Sequence, residues 1–95
     1  MLGWTLIRIE GQSMRPLVKP GAFAVFKRQS TYADGAVVLV DHPRFGKIIK
    51  RAIDVTSKSL WLEGAHPDSL SRETMGPIER RRVKGKLVYQ IKRGV

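Results

Sequence analysis

The stretch Gly35-Ala36-Val37-Val38-Leu39-Val40-Asp41-His42-Pro43-Arg44-Phe45-Gly46-Lys47-Ile48-Ile49-Lys50-Arg51-Ala52-Ile53 decides the class of fold. Ala36 to Val40 is a continuous apolar run of β-branched character, bounded by Gly35 and by Asp41-His42-Pro43, and it predicts a core strand. Phe45-Gly46 marks a hairpin tip, after which Lys47 to Ile53 returns as a second strand. On the returning strand Ile48, Lys50 and Ala52 share one face, while Ile49, Arg51 and Ile53 share the other.

Outward from this hairpin the chain keeps the same character. Trp4 to Ile9 alternates as a strand and stops at Gly11, and Ala22 to Phe26 follows the Pro20-Gly21 turn as another. Between them, Met14 to Val18 is expected to form one helical turn. Lys27 to Gly35 reads as a polar loop, and Leu60 to Glu63 as a short strand ending at Gly64. Ala65 to Pro77 is too rich in His, Pro, Asp, Ser and Gly to be regular, which marks a functional or connecting loop. Val83 to Lys92 alternates apolar and polar from Lys86 onward, as a half-buried strand should. The sum is six or seven short strands, no helix longer than a turn or two and no internal repeat. The expected class is mainly β, a coiled antiparallel sheet or partly open barrel.

With 95 residues the chain builds one domain around one core. It has no cysteine, which excludes disulfides and thiolate metal sites. Two histidines in separate loops do not make a metal site, so no metal or other cofactor is expected. Eighteen Lys and Arg against eight Asp and Glu leave a net charge of +10, which suggests an anionic partner. Much of the excess lies in Arg80, Arg81, Arg82, Lys84 and Lys86; on a strand, alternation would turn these to opposite sides. No apolar run approaches the roughly 20 residues that span a bilayer, and residues 1–9 lack a basic leader with a cleavage site. As it stands the sequence reads as cytoplasmic, and an upstream anchor would make it membrane-associated.

The chemistry-bearing candidates start with Gly11-Gln12-Ser13-Met14-Arg15-Pro16, a serine between a glycine corner and a proline. A strand that delivers serine into such a turn can expose the hydroxyl beside a backbone N–H, although Gly, Ser and Pro also punctuate ordinary turns. A serine hydroxyl needs a base. His42 and His66 both precede prolines, with Asp41 and Asp68 nearby in sequence but no carboxylate evidently placed to orient either ring. Lys50 is the alternative. A lysine near its reference pKa of about 10.4 is neutral roughly once in a thousand molecules at pH 7.4; burial among Ile48 and Ala52 would lower that pKa and yield a usable base. The competing reading is a lysine whose stem covers the sheet edge and whose ammonium reaches water.

The pattern Gly11-x-Ser13-Met14-x-Pro16, Pro20-Gly21, the apolar strand Val37 to Val40 after Gly35, and Lys50-Arg51 in a later strand resembles the Ser/Lys peptidases of the type I signal peptidase and LexA-type repressor clan. Gly64, Pro67, Ser69 and Gly76-Pro77-Ile78 look like the loop of the signal peptidase branch, and Val83-x-Gly85-Lys86-Leu87-Val88 is similar in both branches. Within the first branch the chain is most similar to small members resembling nickel superoxide dismutase maturation peptidases. The resemblance implies the clan's coiled β catalytic domain, with Ser13 as nucleophile, Lys50 as general base and then general acid, and Ser69 holding the lysine by a hydrogen bond. It implies the backbone N–H of Ser13 as an oxyanion donor. Gly11 stands where bacterial signal peptidases place a second donor serine, so that side-chain donor is missing. Ala22 replaces the family's aspartate after the Pro-Gly turn, Gly64-Ala65-His66 replaces Gly-Asp-Asn, and the serine pattern is shortened to Ser69-Leu70-Ser71-Arg72, leaving Ser71 as the alternative to Ser69.

The expected activity is therefore a serine endopeptidase that removes a leader or signal-like peptide. Its protein substrate would lie as an extended strand against a sheet edge, with small side chains in shallow pockets lined by Met14 and Val37. On that reading the positive charge would attract an acidic substrate or an acidic membrane surface. Two other readings stand beside it: a self-cleaving regulatory domain of the LexA or phage-repressor kind, and a basic nucleic-acid-binding β domain. The last is not favoured, because the aromatic residues are scattered rather than gathered into a stacking platform. The sequence does not set the oligomeric state.

Overall fold

The computed structural model describes residues 3–9, 21–64 and 71–91. The chain runs through β1 (Trp4–Arg8), β2 (Phe23–Lys27), β3 (Val37–His42), β4 (Gly46–Ile53), β5 (Ser59–Glu63), a one-turn helix α1 (Arg72–Met75), β6 (Ile78–Glu79), a 3-10 turn at Arg80–Arg82 and β7 (Val83–Ile91). The strands form one antiparallel sheet in the order β1-β2-β7-β3-β4-β5-β6. Among the described residues β1 and β6 are its edges and do not pair with each other, so the sheet is open rather than closed into a barrel. The expected helical turn at Met14 to Val18 lies outside the described residues.

The β3–β4 hairpin is the centre of this sheet. A three-residue turn over residues 43–45 joins His42 to Gly46, and the register then sets Val38 opposite Lys50 and Val40 opposite Ile48. β3 continues two residues past the apolar run, through Asp41 and His42, which the sequence marks as a turn. The cause is the His42 side chain, which is turned inward and only 4% exposed. Its Nδ1 accepts from the N–H groups of Arg44 at 3.0 Å and Phe45 at 3.3 Å. Its Nε2 therefore carries the proton and donates to the Met75 carbonyl at 2.9 Å. The imidazole is a neutral clip between hairpin tip and α1, and all of its polar capacity is in use.

Coiling of the sheet divides the interior in two. One cluster gathers Tyr32, Val38, Val40, Ala52, Leu60, Leu62, Met75, Ile78 and Val83. The other gathers Ile9, Ala22, Ala24, Phe26 and Leu39 on the opposite side. β7 makes the coiling possible by pairing with β2 along one part and with β3 along another, with register shifts at Val25/Phe26 and Leu39/Val40. A bulge shifts the pairing and sharpens the local twist. At the crossover sits Gly85, where an added Cβ would come 2.9 Å from the carbonyl carbon and 3.0 Å from the nitrogen of Lys27.

The basic residues at 80–82 fall on the 3-10 turn, not on a strand, so strand alternation does not separate them. Arg80 and Arg81 line one cleft of about 570 Å³ together with Arg28 and Lys58, over Tyr32 and Val83.

Gly85→Ala is expected to cost about 3 kcal/mol, because the neighbour is backbone and cannot rotate away. Gly46→Ala, where φ is +72° and nothing lies within 4 Å, should cost only the backbone strain, about 1 kcal/mol. Urea unfolding of the two variants tests the difference; equal losses would mean that close approach at Gly85 is not what constrains β7.

Candidate active site

Lys50 lies in the middle of β4, whose burial rises toward its second half. Ile48 and Ala52, two residues to either side, pack with Val38 and Val40 into the first cluster, and Lys50 shares their side of the sheet. The whole residue is 6% exposed. Burial among these apolar groups lowers the pKa of its amine from the ordinary lysine value of 10.5, because removal from water penalises the ammonium and not the neutral amine. The described residues give it no ion pair: their carboxylate contacts are Arg72 with Asp54 and Arg81 with Glu79. An unpaired, desolvated amine is what general-base work at a serine requires.

Ser13, Met14 and Ser69 lie outside the described residues. The structure does place the ends of both segments that carry them. The Ile9 N–H donates to the Ala22 carbonyl at 2.8 Å and the Gly21 N–H to the Ile9 carbonyl at 2.9 Å. Ile9 and Gly21, the described residues on either side of 10–20, thus meet at one point of the sheet, at the cluster against which Ile49 is packed. β5 ends at Glu63, which pairs with Arg51, the residue after Lys50.

On the other side of residues 65–70 stands a fixed support. Ser71 caps α1, its Oγ accepting from the Thr74 N–H at 3.1 Å and lying 2.9 Å from the Thr74 hydroxyl. The Arg72 guanidinium bonds Asp54 at 2.6 Å and lies 4.7 Å from the centroid of the Trp61 ring. Met75 is buried in the core, Arg44 donates to the Thr74 carbonyl, and His42 holds the Met75 carbonyl. The hydroxyl of Ser71 is thereby committed to its own helix.

Other candidates separate. Val37 pairs with Arg51 and packs with the second cluster, on the side of the sheet away from Lys50; Val38 is the β3 residue on the lysine's side. His42 has no free nitrogen for a triad, and His66 lies outside the described residues. Arg51 faces away from Lys50, as strand alternation requires. Sequence reasoning passed over Val38 as a neighbour of Lys50, although a turn centred on Arg44 fixes that register. Among the described residues no group of three His, Asp or Glu side chains is placed to hold a metal ion, and no helix is long and apolar enough to cross a membrane.

Comparison with protein families matches residues 3–88 to the Peptidase S24-like family. The chain belongs to that family. Peptidase S24-like domains form part of the LexA and signal peptidase clan, and the family covers serine peptidases as well as self-cleaving domains of the LexA and phage-repressor kind. Among curated proteins the chain finds no match. As a Peptidase S24-like domain, the chain carries its buried lysine on a central strand of a mainly β fold.

Since Lys50 titrates below 10.5 in the folded protein, the folded state binds its proton less tightly than the unfolded chain does. Stability should therefore rise with pH between the folded pKa and 10.5, and the full penalty is present below that window. Lys50→Met is expected to stabilise the protein at pH 7 by roughly 1 kcal/mol, or about 4–8 °C for a domain of this size. Thermal unfolding from pH 7 to 10.5 checks both points: the variant should melt higher and lose the alkaline rise.

Proposed function

We propose that the chain is a serine endopeptidase working through a Ser13/Lys50 dyad and removing a leader or signal-like peptide from a protein substrate. The observation that carries this reading is the buried amine of Lys50, with its lowered pKa, on a Peptidase S24-like domain. The neutral amine takes the proton from Ser13 Oγ as the oxygen attacks the scissile carbonyl. The backbone N–H of Ser13 stabilises the oxyanion. Lys50, now an ammonium, passes the proton to the departing amine, and the acyl-enzyme remains. Water then attacks the acyl carbon as Lys50 takes its proton, the bond to Ser13 Oγ breaks, and Lys50 returns the proton to that oxygen, releasing the acid and restoring both groups. Ser69 holds the lysine rotamer in this scheme, a role that fits with Ser71 being occupied as a helix cap.

The substrate strand is proposed to add to the free edge of β1, which leads directly into the segment carrying Ser13. The resemblance of the 64–78 stretch to the signal peptidase loop supports that branch, and the small maturation-peptidase-like members within it. The breadth of the family supports a second reading, a self-cleaving regulatory domain.

Incubation with a proteome-derived peptide library, with new termini read by mass spectrometry, tests the proposal. Wild-type protein should cleave in trans, while Ser13→Ala and Lys50→Ala, still folded by circular dichroism, should each lose at least about 1,000-fold in rate. The rate should rise with pH through a single ionisation below 10.5. Retained cleavage in either variant sinks the dyad; cutting confined to the chain's own polypeptide, independent of concentration, favours the second reading.

A further inference from the structure

The cleft of about 570 Å³ beside the 3-10 turn collects cations from three separate parts of the chain. Arg28 follows β2, Lys58 lies on the turn between β4 and β5, and Arg80 and Arg81 follow β6. Hydrogen bonds fix the backbone beneath them. The Arg28 N–H donates to the Gly3 carbonyl at 2.7 Å, and the Arg80 N–H donates to the Lys58 carbonyl at 2.9 Å, which ties two of the cation-bearing segments together. Thr56 closes the Lys58 turn, its Oγ1 accepting from the N–H groups of Lys58 at 3.2 Å and Ser59 at 3.0 Å. Tyr32 and Val83, both buried in the first cluster, form the floor, and the Tyr32 hydroxyl accepts from the Gln29 N–H at 3.0 Å. Glu79 is the single acidic residue among the described lining, and Arg81 already bonds it at 3.0 Å. Among the described residues Arg28, Lys58 and Arg80 have no carboxylate partner. Three like charges gathered at one mouth repel one another, and a bound anion relieves that cost.

We propose that this cleft binds a compact polyphosphate anion, with the guanidiniums of Arg28 and Arg80 and the ammonium of Lys58 engaging adjacent phosphate groups. The size fits a small ligand, for which pockets run from roughly 300 to 1,000 Å³. Charge density selects the class. Guanidinium forks and a lysine point charge are the side chains that match phosphate oxygens, and each phosphate brings more charge and more acceptors than a carboxylate. An extended acidic peptide turns alternate side chains to the same side, roughly 7 Å apart, so the short length that fits the cleft cannot answer all three cations. A nucleic-acid strand needs aromatic faces on which to stack its bases, whereas Tyr32 is the aromatic residue of the described lining and is only 8% exposed. Linked phosphates concentrate their charge in one short chain and need no apolar wall. Glu79 is the internal competitor in this arrangement, since its carboxylate holds Arg81 away from the ligand. The inference does not depend on the peptidase reading, and its test reads no cleavage.

The test is calorimetric titration of the full chain with tripolyphosphate, pyrophosphate and inorganic phosphate at about 0.15 M salt, where charges farther apart than about 8 Å are screened. The expected result is one site per chain, with affinity falling in that order, and amide shifts in nuclear magnetic resonance spectra centred on Gln29, Tyr32 and Lys58. Arg28→Gln, Lys58→Gln and Arg80→Gln together, checked for an unchanged melting temperature, should weaken tripolyphosphate binding at least roughly tenfold. Removal of the same number of charges outside the cleft, by Arg8→Gln, Lys47→Gln and Lys86→Gln, should weaken it no more than about threefold. Glu79→Gln frees Arg81 and should tighten binding about twofold. Adenosine triphosphate distinguishes the sources of the phosphates: tighter binding than tripolyphosphate gives the site to a nucleotide, and equal or weaker binding to a free polyphosphate. Three results overturn the proposal: no saturable binding of tripolyphosphate at this salt; equal losses in the two triple variants, which is adsorption to net charge; or tighter binding of a hexaglutamate peptide or a single-stranded oligonucleotide than of tripolyphosphate, which gives the cleft to a macromolecule.

Discussion

The cross-strand pair Val38–Lys50 puts an amine on the side of the sheet where Val40, Ala52, Leu60 and Leu62 pack. Lysine in that position is a cost, because its charged form has lost water without gaining a carboxylate. A fold selected only for stability would place an apolar side chain there. β4 keeps the lysine between Ile48 and Ala52, and the penalty on its ammonium is the same free energy that favours its neutral form. The surrounding architecture serves this position. The hairpin turn sets the register, His42 ties that turn to α1, and Arg72 ties α1 to the end of β4 through Asp54.

Legibility of the fold in the sequence followed the periodic strands. Ala36 to Val40 and Lys47 to Ile53 carry apolar side chains at strand spacing, so the hairpin, the face shared by Ile48, Lys50 and Ala52, and the mainly β class could be read directly. The misses have local causes. Asp41 and His42 read as a turn because polarity near Pro43 outweighed pairing, whereas the imidazole finds three backbone partners in the interior. β6 has two residues, too few to show a period, and the arginines at 80–82 adopt a 3-10 turn that no alternation rule describes. Val37, expected to line a substrate pocket, packs on the side of the sheet away from Lys50, and a run as apolar as Val37 to Val40, buried on both sides, carries no sign of which side is which. Ser13 and Ser69 lie outside the described residues.

Ser71 shows how a shortened loop can be read physically. Two serines, Ser69 and Ser71, compete in sequence for contact with the lysine. Only a residue at the start of α1 can satisfy its first N–H groups, and Ser71 does so through Thr74. Capping engages the Ser71 hydroxyl within α1, just as β5 pairs Glu63 with Arg51 on the other side of residues 65–70.

One side of one sheet holds both kinds of lysine. Lys86 and Lys50 flank Val38 in the same row, about 10 Å apart at the strand spacing, yet the first is half-exposed and the second is buried. What separates them is cover: β5, α1 and β6 supply Leu60, Leu62, Met75 and Ile78 above the β3–β4 end and the start of β7 at Val83, whereas among the described residues no core cluster lies on this side of β1, β2 and the rest of β7. Coiling produces this division, because an open twisted sheet of seven strands cannot be covered on both sides by the few residues left over in a chain of 95. The uncovered end would be a liability in water if it were purely apolar. Arg8, Lys27 and Lys86 interrupt it with charge.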